Sequence, residues 1–150
     1  MKYTLPGFKT YFLTYLEPTL LAIEAEETGL AIPRYQYCDT CESKTAQFPS
    51  IEILPGDTRA EYTNNMIEHW EYHYIDMDVW VVGADPKIIQ ATLLNYREAI
   101  ARIIERSIDC NGLFNQVHLK ETNYSRLAET KQHGLLKILR QTIEIKVLRS

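Results

Sequence analysis

Residues 66–86 read MIEHWEYHYIDMDVWVVGADP, and the fold turns on this stretch. Ile75, Met77, Val79 and Val81 recur at every second position, the period of a strand with one buried face. The opposite face carries Trp70, Tyr72, Tyr74, Asp76 and Asp78. The apolar character changes sides near Tyr74, which predicts a bulge or a strand passing between two packing environments. Gly83 ends the strand. Asp85-Pro86 then opens a helix, with Asp85 as cap and Pro86 at the first helical position, where no N–H is needed. Ile89, Leu93, Tyr96, Ile100, Ile103 or Ile104, and Ile108 form its apolar stripe. Asn111-Gly112 is the expected stop.

Upstream, Phe12, Leu16, Leu20 and Ile23 mark a helical segment from about Phe8 to Thr28, widened by Tyr15 and Leu21. Pro18 interrupts it, so the expectation is a helix starting at Pro18 or two pieces meeting near Glu17. Gly29 sits where a left-handed cap would end it. Glu24, Glu26 and Glu27 crowd the end of the dipole that disfavours acids and read as a solvated or partner-facing surface. Leu30 to Gln47 is a long excursion, with an irregular strand at Arg34 to Tyr37. Phe48 to Leu54 reads as a strand in which Pro49 takes an early or edge position. Pro55-Gly56-Asp57 signals a turn, and polar Gly56 to Asn65 a projecting loop or hairpin arm.

Downstream, Val117, Leu119 and Glu121 alternate with His118, Lys120 and Thr122, and Ser125 to Gly134 is a polar connection. Leu139, Ile143, Ile145 and Val147 line the buried side of a closing strand, with Arg140, Thr142, Glu144 and Lys146 outward. The order helix, strand, long strand, helix, strand, strand predicts an α+β fold. Its sheet is mixed or mostly antiparallel, with two main helices on one face, and residues 1–150 form a single domain.

Lys plus Arg is 16 and Asp plus Glu is 20, a formal charge of −4. That balance disfavours sequence-independent DNA binding or adsorption to anionic membranes, both of which rest on cations. Cys38, Cys41 and Cys110 are too few for a disulfide framework and suggest a reducing compartment. The start of the chain lacks the pattern of a signal peptide, and no stretch is apolar enough to span a bilayer, so a soluble, non-exported protein is expected.

Catalytic constellations are weak. Cys38-x-x-Cys41 has zinc-ligand spacing, but a structural site needs four ligands, and Cys110, His69, His73 or His118 would have to complete it. Incidental loop cysteines are the simpler reading. His69, Glu71 and His73 share a strand face that reads as a solvent-facing polar strip, since alternate residues lie ~7 Å apart. Asp76 and Asp78 invite a hydrolase reading, yet no further acid or base can be placed beside them. No phosphate-binding or nucleophile-elbow motif occurs. The expected metal, cofactor and catalytic sets are empty. Trp70, Tyr72, Tyr74 and Trp80 suggest packing or an interface.

Taken together, the chain resembles the tail terminator (tail completion) proteins of long-tailed bacteriophages. The likeness lies in the N-terminal helix, Phe48 to Leu54, the arm at Gly56 to Asn65, and the long strand Met66 to Val82. The Asp85-Pro86 helix and closing strands ending at Leu148 complete it. Trp70 to Val82 followed by Gly83-Ala84-Asp85-Pro86 is its most suggestive piece, and Leu30 to Gln47 departs from the pattern.

The resemblance implies an assembly protein without enzymatic activity. It would form a ring, hexameric in that family, on the head-proximal end of the tail tube, stop tube elongation and join tail to head connector. The partners implied are other copies of the chain, the tail tube protein, and connector or neck proteins. DNA would pass without specific binding, and no membrane is involved. The expected location is the tail–head junction of the virion, after assembly in the host cytoplasm. Candidate partner-binding residues are Arg59, Tyr62, Trp70, Tyr72, Arg126, Lys131 and His133, with Asp76 and Asp78 as an acidic surface. The alternatives are a head-closure or neck protein, a small ligand-binding or enzymatic α+β domain, and a zinc-stabilised module built on Cys38 and Cys41.

Overall fold

The strand read from residues 66–82 runs from His69 to Gly83 and is the axis of the sheet, while Met66 lies outside the described residues. The computed structural model describes residues 4–39, 48–63, 67–131 and 134–149. In order these form α1 (Thr4–Glu26), β1 (Gln36–Tyr37), β2 (Ser50–Tyr62), β3 (His69–Gly83), α2 (Pro86–Glu105), β4 (Gln116–Tyr124), β5 (Ala128–Thr130) and β6 (Gly134–Arg149). The sheet order is β1-β2-β3-β6-β4, with β5 paired to the start of β6. Only β1 and β2 run parallel, so the sheet is mixed and the fold is α+β.

β3 itself is regular. Its register against β6 is unbroken from His69↔Arg149 to Gly83↔Leu135. The irregularity lies in the neighbouring strand, where β2 shifts register between Pro55 and Thr58, opposite Tyr74. Pro55-Gly56-Asp57 is therefore a bulge, and β2 runs on to Tyr62 as one side of the arm. Proline and glycine mark both turns and bulges, so the local signal did not separate them. Only glycine fits at Gly56, because a Cβ there would lie 2.9 Å from the Tyr74 carbonyl oxygen.

One face of the sheet presents Ile51, Ile53, Ile75, Met77, Val79, Leu139, Ile143 and Ile145, all buried in a single core with both helices. From α2 the core takes Ile89, Leu93, Tyr96, Ile100, Ile103 and Ile104. Asp85 caps that helix as expected, accepting from the Lys87 N–H at 2.9 Å. α2 ends at Glu105, short of Asn111-Gly112. Ile108, expected on its stripe, lies past the helix and is exposed. Turns follow, and Cys110, Asn111 and Gly112 all have positive φ. The polar connection after β4 holds the short strand β5, which the sequence pattern did not signal.

Pro18 does not divide α1, which is one helix of 23 residues. Phe8, Phe12, Leu16, Leu20 and Ile23 are buried once per turn. Each such side chain contributes roughly 1.5–3 kcal/mol of burial, enough together to exceed the roughly 3 kcal/mol cost of an interior proline. Pro18 faces solvent, where the lost backbone hydrogen bond is least harmful. Gly29 follows with φ +84. Two of the acids at the helix end, Glu24 and Glu26, are paired, not simply solvated. Arg102 binds both oxygens of Glu26 at 2.6 and 2.8 Å. Arg34 joins Glu24 to Glu17, its Nε lying 2.9 Å from Glu17.

The accessible surface is 8687 Å², above the roughly 7,900 Å² that size scaling gives for this mass. The arm accounts for part of the excess, since Gly56 to Tyr62 are exposed on both sheet faces. No helix among the described residues is long and apolar enough to cross a membrane.

Candidate interaction face

With both helices on one face, the other face of the sheet carries polar and aromatic side chains at its centre, with Leu54, Val82, Leu136, Ile138 and Leu148 beside them. On β3 the polar and aromatic set is Trp70, Tyr72, Tyr74, Asp76, Asp78 and Trp80, since alternate residues share a face. Register places Lys146 opposite Tyr72, Glu144 opposite Tyr74, Thr142 opposite Asp76 and Arg140 opposite Asp78. Each row closes with a direct contact. Lys146 Nζ lies 4.1 Å from the Trp70 ring centre, and the Arg59 guanidinium lies 4.8 Å from that of Tyr72. Tyr74 Oη donates to Glu144 at 2.7 Å, and Thr142 Oγ1 donates to Asp76 at 2.8 Å. Arg140 donates through two nitrogens to the two oxygens of Asp78, both at 2.8 Å.

These contacts correct the expectation of an acidic surface. Asp78 is buried and neutralised by Arg140, and Asp76 is half-buried. Glu144 is also buried, and Lys120 approaches it at 3.7 Å. The face is an ion-paired, aromatic plate. The outward set on the closing strand was legible from alternation, but its assignment to this face came only with the register between β3 and β6.

Arg59, Trp70 and Tyr72 come together with Lys146 at the arm end of this plate. Tyr62 is at the arm tip, 63% exposed, its ring 4.9 Å from that of His69 on the helix-side face. Arg126 and Lys131 are exposed beside β5, at the opposite end of the sheet. Ala128 pairs with Leu136, which pairs with Val82, ten residues along β3 from Tyr72. That separation is about 33 Å, so the two groups form different surfaces. His133 lies outside the described residues, as does Cys41.

His69, Glu71 and His73 do not form a solvent-facing strip. They lie on the helix-side face, and His73 is fully buried. Glu71 is the hub, with its oxygens 3.2 Å from His73 Nε2, 3.4 Å from His69 Nε2 and 3.0 Å from Arg149 Nε. Burial pushes the Glu71 carboxyl up, but hydrogen bonds from these three neighbours outweigh it and leave the group below its ordinary value. Burial lowers His73, against the opposing pull of Glu71. His73 Nδ1 has no hydrogen-bond partner among the described residues. Among the described residues, no three His, Cys, Asp or Glu side chains are arranged to hold a metal ion. Cys38 is disulfide-bonded, which runs against the expectation of a reducing compartment and removes it as a zinc ligand. Cys110 is free and buried in the core. No protein-family profile matches the chain, and no curated protein is significantly similar to it.

Proposed function

We propose that this protein is a tail terminator of a long-tailed bacteriophage, closing as a ring on the head-proximal end of the tail tube. The observation that supports this best is the pairing of two unlike surfaces on one subunit. One is the ion-paired aromatic plate of β3 and β6; the other is the arm, exposed on both faces. A ring of identical subunits needs a heterologous contact, and so two different patches per copy. The plate suits a protein partner: Trp70, Tyr72 and Tyr74 supply large contact area, and Arg140 and Lys146 are already engaged. A net charge of −4 disfavours retention of DNA passing through such a ring.

The ring stops addition of tube protein and offers its far side to the head connector, with location at the tail–head junction. Sequencing the few kilobases around the gene tests this reading. A connector or head-completion gene on one side and a tube gene on the other is the expected result. Flanking metabolic or regulatory genes would contradict it.

A further inference from the structure

The arm has an open edge. β1 pairs only with Ser50 and Ile51, and the register of β2 breaks between Pro55 and Thr58, so a regular edge starts at Thr58. At the far end, the Thr63 N–H donates to the Glu68 carbonyl. By antiparallel alternation, the peptide groups of Arg59 and Glu61 face β3, and those of Thr58, Ala60 and Tyr62 face outward. All five residues are exposed. Sheets commonly blunt such edges with a proline or a bulge. Here both devices lie before Thr58, and the stretch that follows has neither.

We infer that Thr58–Tyr62 pairs antiparallel with the same segment of a second copy, about a two-fold axis at Ala60. The sequence Thr58-Arg59-Ala60-Glu61-Tyr62 is self-complementary in that register. Ala60 meets its own counterpart, and Thr58 meets Tyr62 of the second copy. These outward residues form the hydrogen-bonded pairs and exchange about six backbone bonds. Arg59 meets Glu61 of the second copy at a non-hydrogen-bonded pair, where Cα atoms approach to about 4.5 Å and side chains are closest. The two-fold axis makes each opposite-charge pair twice. Sliding one copy by two residues would set Arg59 against Arg59, or Glu61 against Glu61. Charge therefore fixes the register.

Approach to the edge is clear of β1, whose pairing ends at Ile51, about 23 Å before Thr58. An axis perpendicular to the sheet keeps the helices of both copies on the same side. The pairing takes up the edge of the arm and leaves its two faces and the plate open. It describes the protein away from the tube and does not rest on the ring reading. Five residues from each copy make a small contact, so the dimer is weak and depends on concentration.

Sedimentation of the unaltered chain across a dilution series reads the monomer–dimer equilibrium. Arg59→Glu alone, or Glu61→Arg alone, sets like charges across both pairs and should weaken the dimer by about tenfold or more. The double variant, Arg59→Glu with Glu61→Arg, restores opposite charges and should restore the dimer. All three sites are exposed, so melting temperatures should stay within a few degrees of the unaltered chain. Ala60→Cys should oxidise to a covalent dimer on a non-reducing gel. Thr58→Cys should not, because its two copies lie about 14 Å apart in this register. An unaltered chain that is monomeric at every concentration would overturn the pairing. So would a dimer unmoved by the single reversals, or one that the double swap fails to recover.

Discussion

Arg140 on β6 holds Asp78 on β3 through two parallel hydrogen bonds of 2.8 Å across the centre of the uncovered plate. The pair is unequal in exposure: the Asp78 side chain is 5% exposed and that of Arg140 is 48%. Removing the arginine strands a buried carboxylate, whereas removing the aspartate leaves a guanidinium that can turn to water. Arg140→Ala should therefore cost about 2 kcal/mol and Asp78→Ala about half that. Urea unfolding of both variants reads the difference. Equal losses would remove the asymmetry.

Pro18 leaves the Thr14 carbonyl without its helical partner on the exposed side of α1. Pro18→Ala restores that N–H, and the gain is offset in part by greater freedom of the unfolded chain. A net stabilisation of about 1–2 kcal/mol is expected, visible as a higher thermal midpoint. A lower midpoint would mean that the proline sets the geometry of α1 in a way the packing requires.

The buried imidazole of His73 gives stability a pH dependence. Burial holds it below its ordinary value, so between about pH 6.5 and the folded value the unfolded chain binds more protons than the folded one. Its contribution is present above pH 6.5 and is lost as pH falls through the folded value. Glu71 lies 3.2 Å from it and also binds His69 and Arg149. Glu71, held below its own ordinary value, responds in a lower window. Unfolding midpoints from pH 7.5 to 5 should fall for the native sequence and flatten for His73→Gln. The same slope in both would show that another group carries the dependence.

Burial pushes the Cys110 thiol up to about 12. A disulfide-exchange reagent at pH 8 should leave Cys110 unlabelled in the folded protein and label it fully in urea, read by mass spectrometry of its peptide. Rapid labelling without denaturant would contradict its place in the core.

Elements whose signal is periodic were legible from the residues. The stripe from Ile89 to Ile104, its Asp85-Pro86 start and the buried side of β6 all follow from spacing alone. Where one residue serves two conformations, spacing did not decide. Pro18 sits inside a helix because the stripe around it is deeply buried, a tertiary effect. Pro55-Gly56 is a bulge because β2 continues to pair with β3 beyond it.

The plate was half legible. Trp70, Tyr72, Asp76 and Asp78 were assigned to one face, but the partners Lys146, Thr142 and Arg140 depend on register, which no single strand encodes. Burial of His73 was missed for the same reason. Its neighbours are the Glu71 hub and the end of β6, 70 or more residues along the chain from β3.

The terminator reading is tested most directly on the tube itself. Tail tube protein from the same phage would be polymerised with and without this protein and viewed by electron microscopy. The account predicts a ring on one end of each tube and arrest of elongation when further tube protein is added. Bare tubes that keep growing at both ends in the presence of excess protein would contradict it.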